Sequence, residues 1–232
     1  MAGSSPSIAD NLRAVRDRVA GAARRSRRDP SAVTLVAVSK MVPVARIEEA
    51  IAAGQCDFGE NYVQEARDKM LATDPGVRWH YIGRLQTNKA KYVVGRYALV
   101  HAVDRVELAA ELSKRAVSAS VVQPVLIEVR LDPAETKGGV EPSDVPALAE
   151  AIGGLAGLRL QGLMGMPPYA SDPSLSRPYY SRLREMLGSL PPEARQILSM
   201  GMSGDFEVAI EEGATIVRVG TAIFGHRTAA PG

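Results

Sequence analysis

The sequence predicts an α/β fold: a single (β/α)8 TIM barrel spanning residues 1–232, with an extra N-terminal helix. Three observations carry this. Short apolar, β-branched runs alternate with segments of helical periodicity, which implies a parallel sheet with right-handed crossovers. Eight such units fit between residues 34 and 219, the number that closes a barrel. The glycine fingerprint of a dinucleotide-binding sheet is missing after the first strand, which disfavours an open doubly wound sheet.

The elements follow in order. Ile8, Leu12, Val15 and Val19 share one helical face, and Ser7 with Asp10 makes an N-terminal cap. The Ser- and Arg-rich start has a targeting segment as its alternative reading. Thr34–Val38 is the first strand; Pro43 then suits the first turn of a helix carrying Val44, Ile47 and Ile51, which Gly54 stops. Cys56–Gly59 is the second strand, with a helix from Tyr62. Val77–Ile82 is the third, with a helix over Asn88–Val94. Ala98–Ala102 is the fourth, with Asp104 capping a helix to Val117. Pro124–Arg130 is the fifth, and Ser143 opens a helix to Ile152. Arg159–Met164 is the sixth, followed by a long loop and a helix over Tyr179–Leu187. Gln196–Ser199 is the seventh, with a helix from Asp205 to Gly213, and Thr215–Val219 is the eighth. The chain stops soon afterwards, so a single domain is expected.

Composition narrows the function classes. A net charge of +2 gives no reason to expect nucleic acid or a membrane surface as partner. No apolar run approaches the ~20 residues of a membrane span. Cys56 is the one cysteine, so there is no internal disulfide and no cysteine metal site, which fits a reducing cytoplasm. His80 and His101 have no second histidine or carboxylate at metal-ligand spacing, so no metal is assigned and a structural role is expected for each.

Active sites of barrels gather at the C-terminal ends of the strands. Lys40 lies just past the first strand in LVAVSK, and it is one of only six lysines. Partial desolvation there favours the neutral amine that a Schiff base needs. A lysine snorkelling to solvent at the rim is the equal alternative from position alone. Met202-Ser203-Gly204-Asp205 is a small-residue turn opening a helix, and Gly220-Thr221 is a second small turn after strand eight. Barrel phosphate sites often use the loops after strands seven and eight. Arg218 shares its strand face with Ile216 and Gly220. Inside a barrel it needs a partner, which a ligand nitrogen, a phosphate or Glu128 could supply. A lysine, a phosphate cradle and an arginine together meet the requirements of pyridoxal 5′-phosphate (PLP).

The stretches LVAVSK, FGENYVQEA, WHYIGRLQTNKAK, GLMGMPPY and LSMGMSGDFEVAIEEGATIVRVGTAIFG resemble those of the pyridoxal-phosphate homeostasis proteins, the YggS-like or proline synthase co-transcribed family. That family is related to the barrel domain of alanine racemase. The resemblance covers nearly the whole chain. It implies one barrel with the cofactor held as an aldimine on Lys40. Ser203, Gly204, Gly220 and Thr221 would hold the phosphate, and Arg218 would face the pyridine nitrogen. Asn61 and Ile82 would line the ring, with Met166 approaching from strand six. It also implies a carrier or buffer of PLP rather than an enzyme with an established reaction.

Three classes compete. They are a PLP-handling protein, a PLP-dependent amino-acid racemase, and a Schiff-base aldolase acting on a phosphorylated sugar. Racemisation needs an acid/base group on each face of the ring. In alanine racemase the second face is served by a tyrosine from another domain of the partner subunit, and Tyr62, Tyr169, Tyr179 and Tyr180 have no clear placement there. An arginine opposite the ring nitrogen disfavours pyridinium and weakens the electron sink. The aldolase reading lacks a placed acid/base pair. The carrier reading is preferred, with a cytoplasmic monomer as the expected setting and PLP and PLP-dependent apoenzymes as the expected partners. Arg84, Lys89 and Lys91 form a basic rim, read as a solvated helix start or a docking surface. Lys137 is read as a surface residue, or as a secondary amine for cofactor transfer.

Overall fold

The computed structural model describes residues 6–132 and 138–225. Lys137 lies outside the described residues. Eight parallel strands close in sequence order: β1 (Thr34–Val38), β2 (Asp57–Glu60), β3 (Arg78–Tyr81), β4 (Leu99–Val103), β5 (Gln123–Arg130), β6 (Leu158–Met166), β7 (Ile197–Ser199) and β8 (Ile216–Val219). β8 pairs back onto β1, with Val36 opposite Arg218. Every expected strand is present, with ends displaced by at most two residues.

The helices are α1 (Ile8–Arg25), α2 (Val44–Ala52), α3 (Val63–Ala72), α4 (Val106–Ser118), α5 (Val145–Gly153), α6 (Arg177–Ser189), α7 (Phe206–Glu211) and α8 (Thr221–Phe224). The Ser7–Asp10 capping box is formed, and Ile8, Leu12, Val15 and Val19 are buried as their spacing predicts. α1 packs against α2, α7 and α8. It thereby fills the part of the outer ring that the one-turn α8 leaves uncovered.

Three local expectations are corrected. Residues Thr87–Tyr92 form a 3-10 helix, not an α-helix. Asp104 does not cap α4; its carboxylate pairs with the Arg105 guanidinium, and Arg105 itself is the N-cap residue. Pro43 is the N-cap of α2 rather than a residue of its first turn.

Side chains alternate between the two faces of each strand. Ala37, Phe58, Trp79, Val100, Leu163 and Val217 point outward into the main core beneath the helices. Val36, Leu99, Leu126, Met164 and Ile216 form a separate small cluster inside the barrel. The remaining interior is polar: Asp57, His80, His101, Glu128, Ser199 and Arg218 are all buried. Lys40 has the parity of Val36 and Val38, so strand β1 sends it to the inner, C-terminal mouth.

Candidate functional site

A cavity of about 280 Å³ opens at that mouth. Its walls are Val38 and Lys40 from the end of β1, Pro167–Ala170 after β6, Met202–Asp205 after β7, Arg218 from β8, and the Gly220–Thr221 turn. Six of the nine residues expected at the site therefore converge: Lys40, Ser203, Gly204, Arg218, Gly220 and Thr221.

The backbone on either side of Lys40 is clamped from beneath. Lys69 of α3 donates to the Ser39 carbonyl, to Glu60 Oε1 and to Glu65 Oε1, each at 2.6 Å. The Ser39 hydroxyl donates to Glu60 Oε1 at 2.7 Å. Glu65 accepts from the Met41 N–H. Met41 takes a left-handed backbone, φ 59°, which a non-glycine residue adopts only where its surroundings hold it. Burial raises the Glu60 carboxyl above its usual range, against the opposing pull of Lys69.

Arg218 is only 4% exposed. Its guanidinium donates to Ser199 Oγ at 2.6 Å and to the Gly165 carbonyl at 3.3 Å. The partners are thus a hydroxyl and a carbonyl, not the Glu128 carboxylate. Burial depresses the guanidinium's affinity for its proton, and Tyr180, Glu128 and Asp205 oppose that effect. Burial also pushes the Glu128 carboxyl up to about 7, with Asp104 adding to the rise and Arg218 and Arg84 opposing it.

The two small turns meet. Ser203 Oγ accepts from the N–H groups of Gly220 (3.2 Å) and Ala222 (3.4 Å). Asp205 holds the first turn: it accepts from the Met202 N–H at 2.8 Å, from Tyr180 Oη at 2.7 Å and from Ser176 Oγ at 3.1 Å. Gly201 makes the approach possible. Its φ is 93°, and a Cβ there would lie 2.6 Å from the Ala209 Cβ. No hydrogen bond among the described residues engages the N–H of Ser203 or Gly204. A Cβ added at Gly204 would meet nothing within 4 Å. This is a concave patch of unspent donors, the chemistry an oxyanion needs.

The other three expected residues stand apart from the cavity wall. Ile82 packs down over Gly59 inside the barrel. Met166 ends β6 and is half-exposed, while the following Pro167 and Pro168 take the lining role. Asn61 lies in a separate groove of about 980 Å³, which also holds Tyr62, Arg67, Arg84, Lys89 and Tyr92. Its Oδ1 is buried without a hydrogen-bond partner. Gly83 fixes its backbone, because a Cβ there would come 2.5 Å from the Asn61 carbonyl oxygen. Lys89 and Lys91 sit over the Tyr92 ring at 5.7 and 5.0 Å.

Comparison with known proteins shows what the chain is similar to. The family described as "Alanine racemase, N-terminal domain" matches residues 7–228. The pyridoxal phosphate homeostasis protein of Aquifex aeolicus is 47% identical over 222 residues, covering 94% of this chain and 97% of the relative. The chain belongs to the pyridoxal phosphate homeostasis protein family. The Pseudomonas aeruginosa protein of the same name is 44% identical over 221 residues, covering 95% of this chain and 96% of its own. PipY of Synechococcus elongatus, solved with PLP bound, superposes with a TM-score of 0.78 at 38% identity, covering 91% of this chain and 100% of that one.

For this family member, sequence reasoning missed the supporting residues. Neither Lys69 nor Glu60 is assigned a role from the sequence. For Lys69 the one legible signal is the Glu65–Lys69 pair at i, i+4 on a helix; Glu60 has none. The pairing of His80 with His101 at 3.0 Å had no signal, since 21 positions separate them in sequence.

Proposed function

We propose that this chain binds pyridoxal 5′-phosphate at the barrel mouth and acts in homeostasis of that cofactor. The observation that carries the reading is the convergence of Lys40, Arg218, Ser203, Gly204, Gly220 and Thr221 on one small cavity. The residues fit the group: a primary amine for its aldehyde, a donor for its ring nitrogen, and a patch of unengaged N–H groups around open space at Gly204 for its phosphate. When bound, PLP supplies an aldehyde that an amine captures reversibly as a Schiff base. Lys40 is the amine, placed by the Lys69 clamp. Ser203 and the two turns hold the phosphate, and Arg218 presents N–H groups that cannot take a proton from the ring.

Holding rather than turning over is favoured by what surrounds the cavity. Tyr169 lines it but is 92% exposed, so it is not fixed as a proton donor must be. Tyr180 is buried with its hydroxyl spent on Asp205. Tyr62 lies in the neighbouring groove. Loading of PLP-dependent apoenzymes, action as a monomer and a cytoplasmic setting belong to the same proposal. No helix among the described residues is long and apolar enough to cross a membrane.

The test is a visible spectrum of the purified chain with PLP, before and after borohydride reduction, followed by peptide mapping. The expected result is a stable pyridoxyl adduct on Lys40, absent in Lys40→Ala, which keeps weaker phosphate-anchored binding. No band with added PLP would overturn the binding reading. Rapid racemase or decarboxylase turnover would overturn the carrier reading.

A further inference from the structure

Five buried side chains form one hydrogen-bonded line through the barrel. It starts at Arg218 on β8 and passes to Ser199 Oγ on β7 at 2.6 Å. Ser199 Oγ lies 2.9 Å from His101 Nδ1 on β4. His101 Nε2 lies 3.0 Å from His80 Nδ1 on β3. His80 Nε2 lies 3.1 Å from Asp57 Oδ1 at the start of β2. Arg78 closes the line on the opposite face of the barrel, donating to both Asp57 oxygens at 2.8 and 2.6 Å.

The ends of this line fix its direction. Arginine only donates, and an ionised aspartate only accepts. Ser199 Oγ accepts from Arg218, and among the described residues His101 Nδ1 is the one acceptor for its single O–H. A buried hydroxyl hydrogen left without an acceptor is disfavoured. His101 Nδ1 is therefore unprotonated, and its proton sits on Nε2, facing His80 Nδ1. His80 in turn carries its proton on Nε2 and gives it to Asp57. We propose that Asp57, His80, His101 and Ser199 are positioning residues, a one-directional relay of two neutral Nε2–H imidazoles that orients the Arg218 guanidinium toward the cavity.

The arrangement also answers an electrostatic problem. Arg218 is buried, and no carboxylate among the described residues forms an ion pair with it. Every dipole in the relay turns its negative end toward Arg218 and its positive end toward Asp57, so the chain stabilises both charges at once. Burial, with the charge of Arg218 adding to it, holds His101 well below the usual histidine range. Burial alone would raise Asp57, but bonds from His80 and Arg78 outweigh it and keep the carboxylate ionised. The charged groups facing the imidazoles are Asp57 and Arg78 at one end and Arg218 at the other. Glu128, Asp205 and Tyr180 lie beyond Arg218.

The orienting role toward a ring nitrogen rests on the function proposed above; the protonation pattern does not. The test is imidazole ¹⁵N NMR of the full chain without PLP, from about pH 5 to about pH 8, combined with PLP titration of wild type, Ser199→Ala and Ser199→Thr. Expected are two Nε2–H tautomers near neutral pH, with His101 remaining neutral across the window. Ser199→Ala should weaken PLP binding about tenfold and shift the bound absorption band, and Ser199→Thr, which keeps the hydroxyl, should restore both. A proton on Nδ1 of either histidine near neutral pH, or an imidazolium at His101 anywhere in the window, overturns the relay even if PLP binds. So does Ser199→Ala binding PLP with an unchanged band and affinity. Correct tautomers in a chain that never binds PLP would leave the relay standing and remove the cofactor reading. The wild-type spectra decide the matter if the alanine variant does not fold.

Discussion

The ammonium of Lys69 and the carboxylate of Glu60 lie 2.6 Å apart and are both buried, directly beneath the loop that carries Lys40. Removing one partner leaves the other charge uncompensated. Lys69→Met should therefore destabilise the fold by about 3–5 kcal/mol. Lys69→Met combined with Glu60→Leu should recover much of that loss, because the pair is removed together. Urea unfolding of the two variants checks this. A single variant within about 1 kcal/mol of wild type would show that the clamp contributes no more than a surface pair.

Glu128 predicts a pH dependence. Its folded value of about 7 lies above its ordinary 4.5, so the native state binds the extra proton. Stability should fall as pH rises through that interval and then level off. At about 1.4 kcal/mol per pH unit, the loss is bounded at roughly 3 kcal/mol. Glu128→Gln should remove this loss, exceeding wild type in stability at pH 8 and matching it near pH 4. Denaturant midpoints at the two pH values measure it, and an unchanged slope with pH in the variant would refute the assignment.

Gly204 separates binding from folding. A methyl group there meets nothing in the chain, so Gly204→Ala should change stability by no more than about 0.5 kcal/mol. It should lower PLP affinity about tenfold by occupying the phosphate patch. Parallel thermal melts and PLP titrations distinguish this from a general loosening of the turn.

The Ser203→Ala/Thr221→Ala double variant removes two hydroxyls from the cavity while leaving Lys40 in place. PLP binding by fluorescence titration should drop by about a hundredfold or more. Loss of all binding would rank the phosphate cradle above the covalent attachment, and full retention would move the phosphate elsewhere.

Gly83→Ala should cost at least about 2 kcal/mol, because its methyl group would collide with the Asn61 backbone. Asn61 should be displaced with it. Thermal unfolding together with a changed chemical shift for the Asn61 amide tests both consequences.

Much of this protein was legible in one dimension. Strand identity follows from runs such as LVAV and PVLIEV, where adjacent positions are apolar because parallel strands are buried on both faces. Arg218 could be set on one strand face with Ile216 and Gly220 because side-chain direction alternates with period two along a strand, and Lys40 could be set near the mouth because it follows the end of the first strand. The Ser203–Gly204 and Gly220–Thr221 turns could be placed because the barrel puts both loops at one end. Local errors arose where two short-range signals competed. Asp104 looks like a cap, yet its carboxylate is taken by the adjacent Arg105.

The sequence by itself determined the barrel, its helix order and the polar residues at its mouth, since each depends on periodicity and turn chemistry within a few positions. Tertiary structure alone decided which buried charges meet. Lys69 reaches back to Ser39 across 30 positions, and His101 meets Ser199 across 98. No local pattern encodes such contacts. A strand's sequence says which way a side chain points, while closure of the barrel sets what it points at.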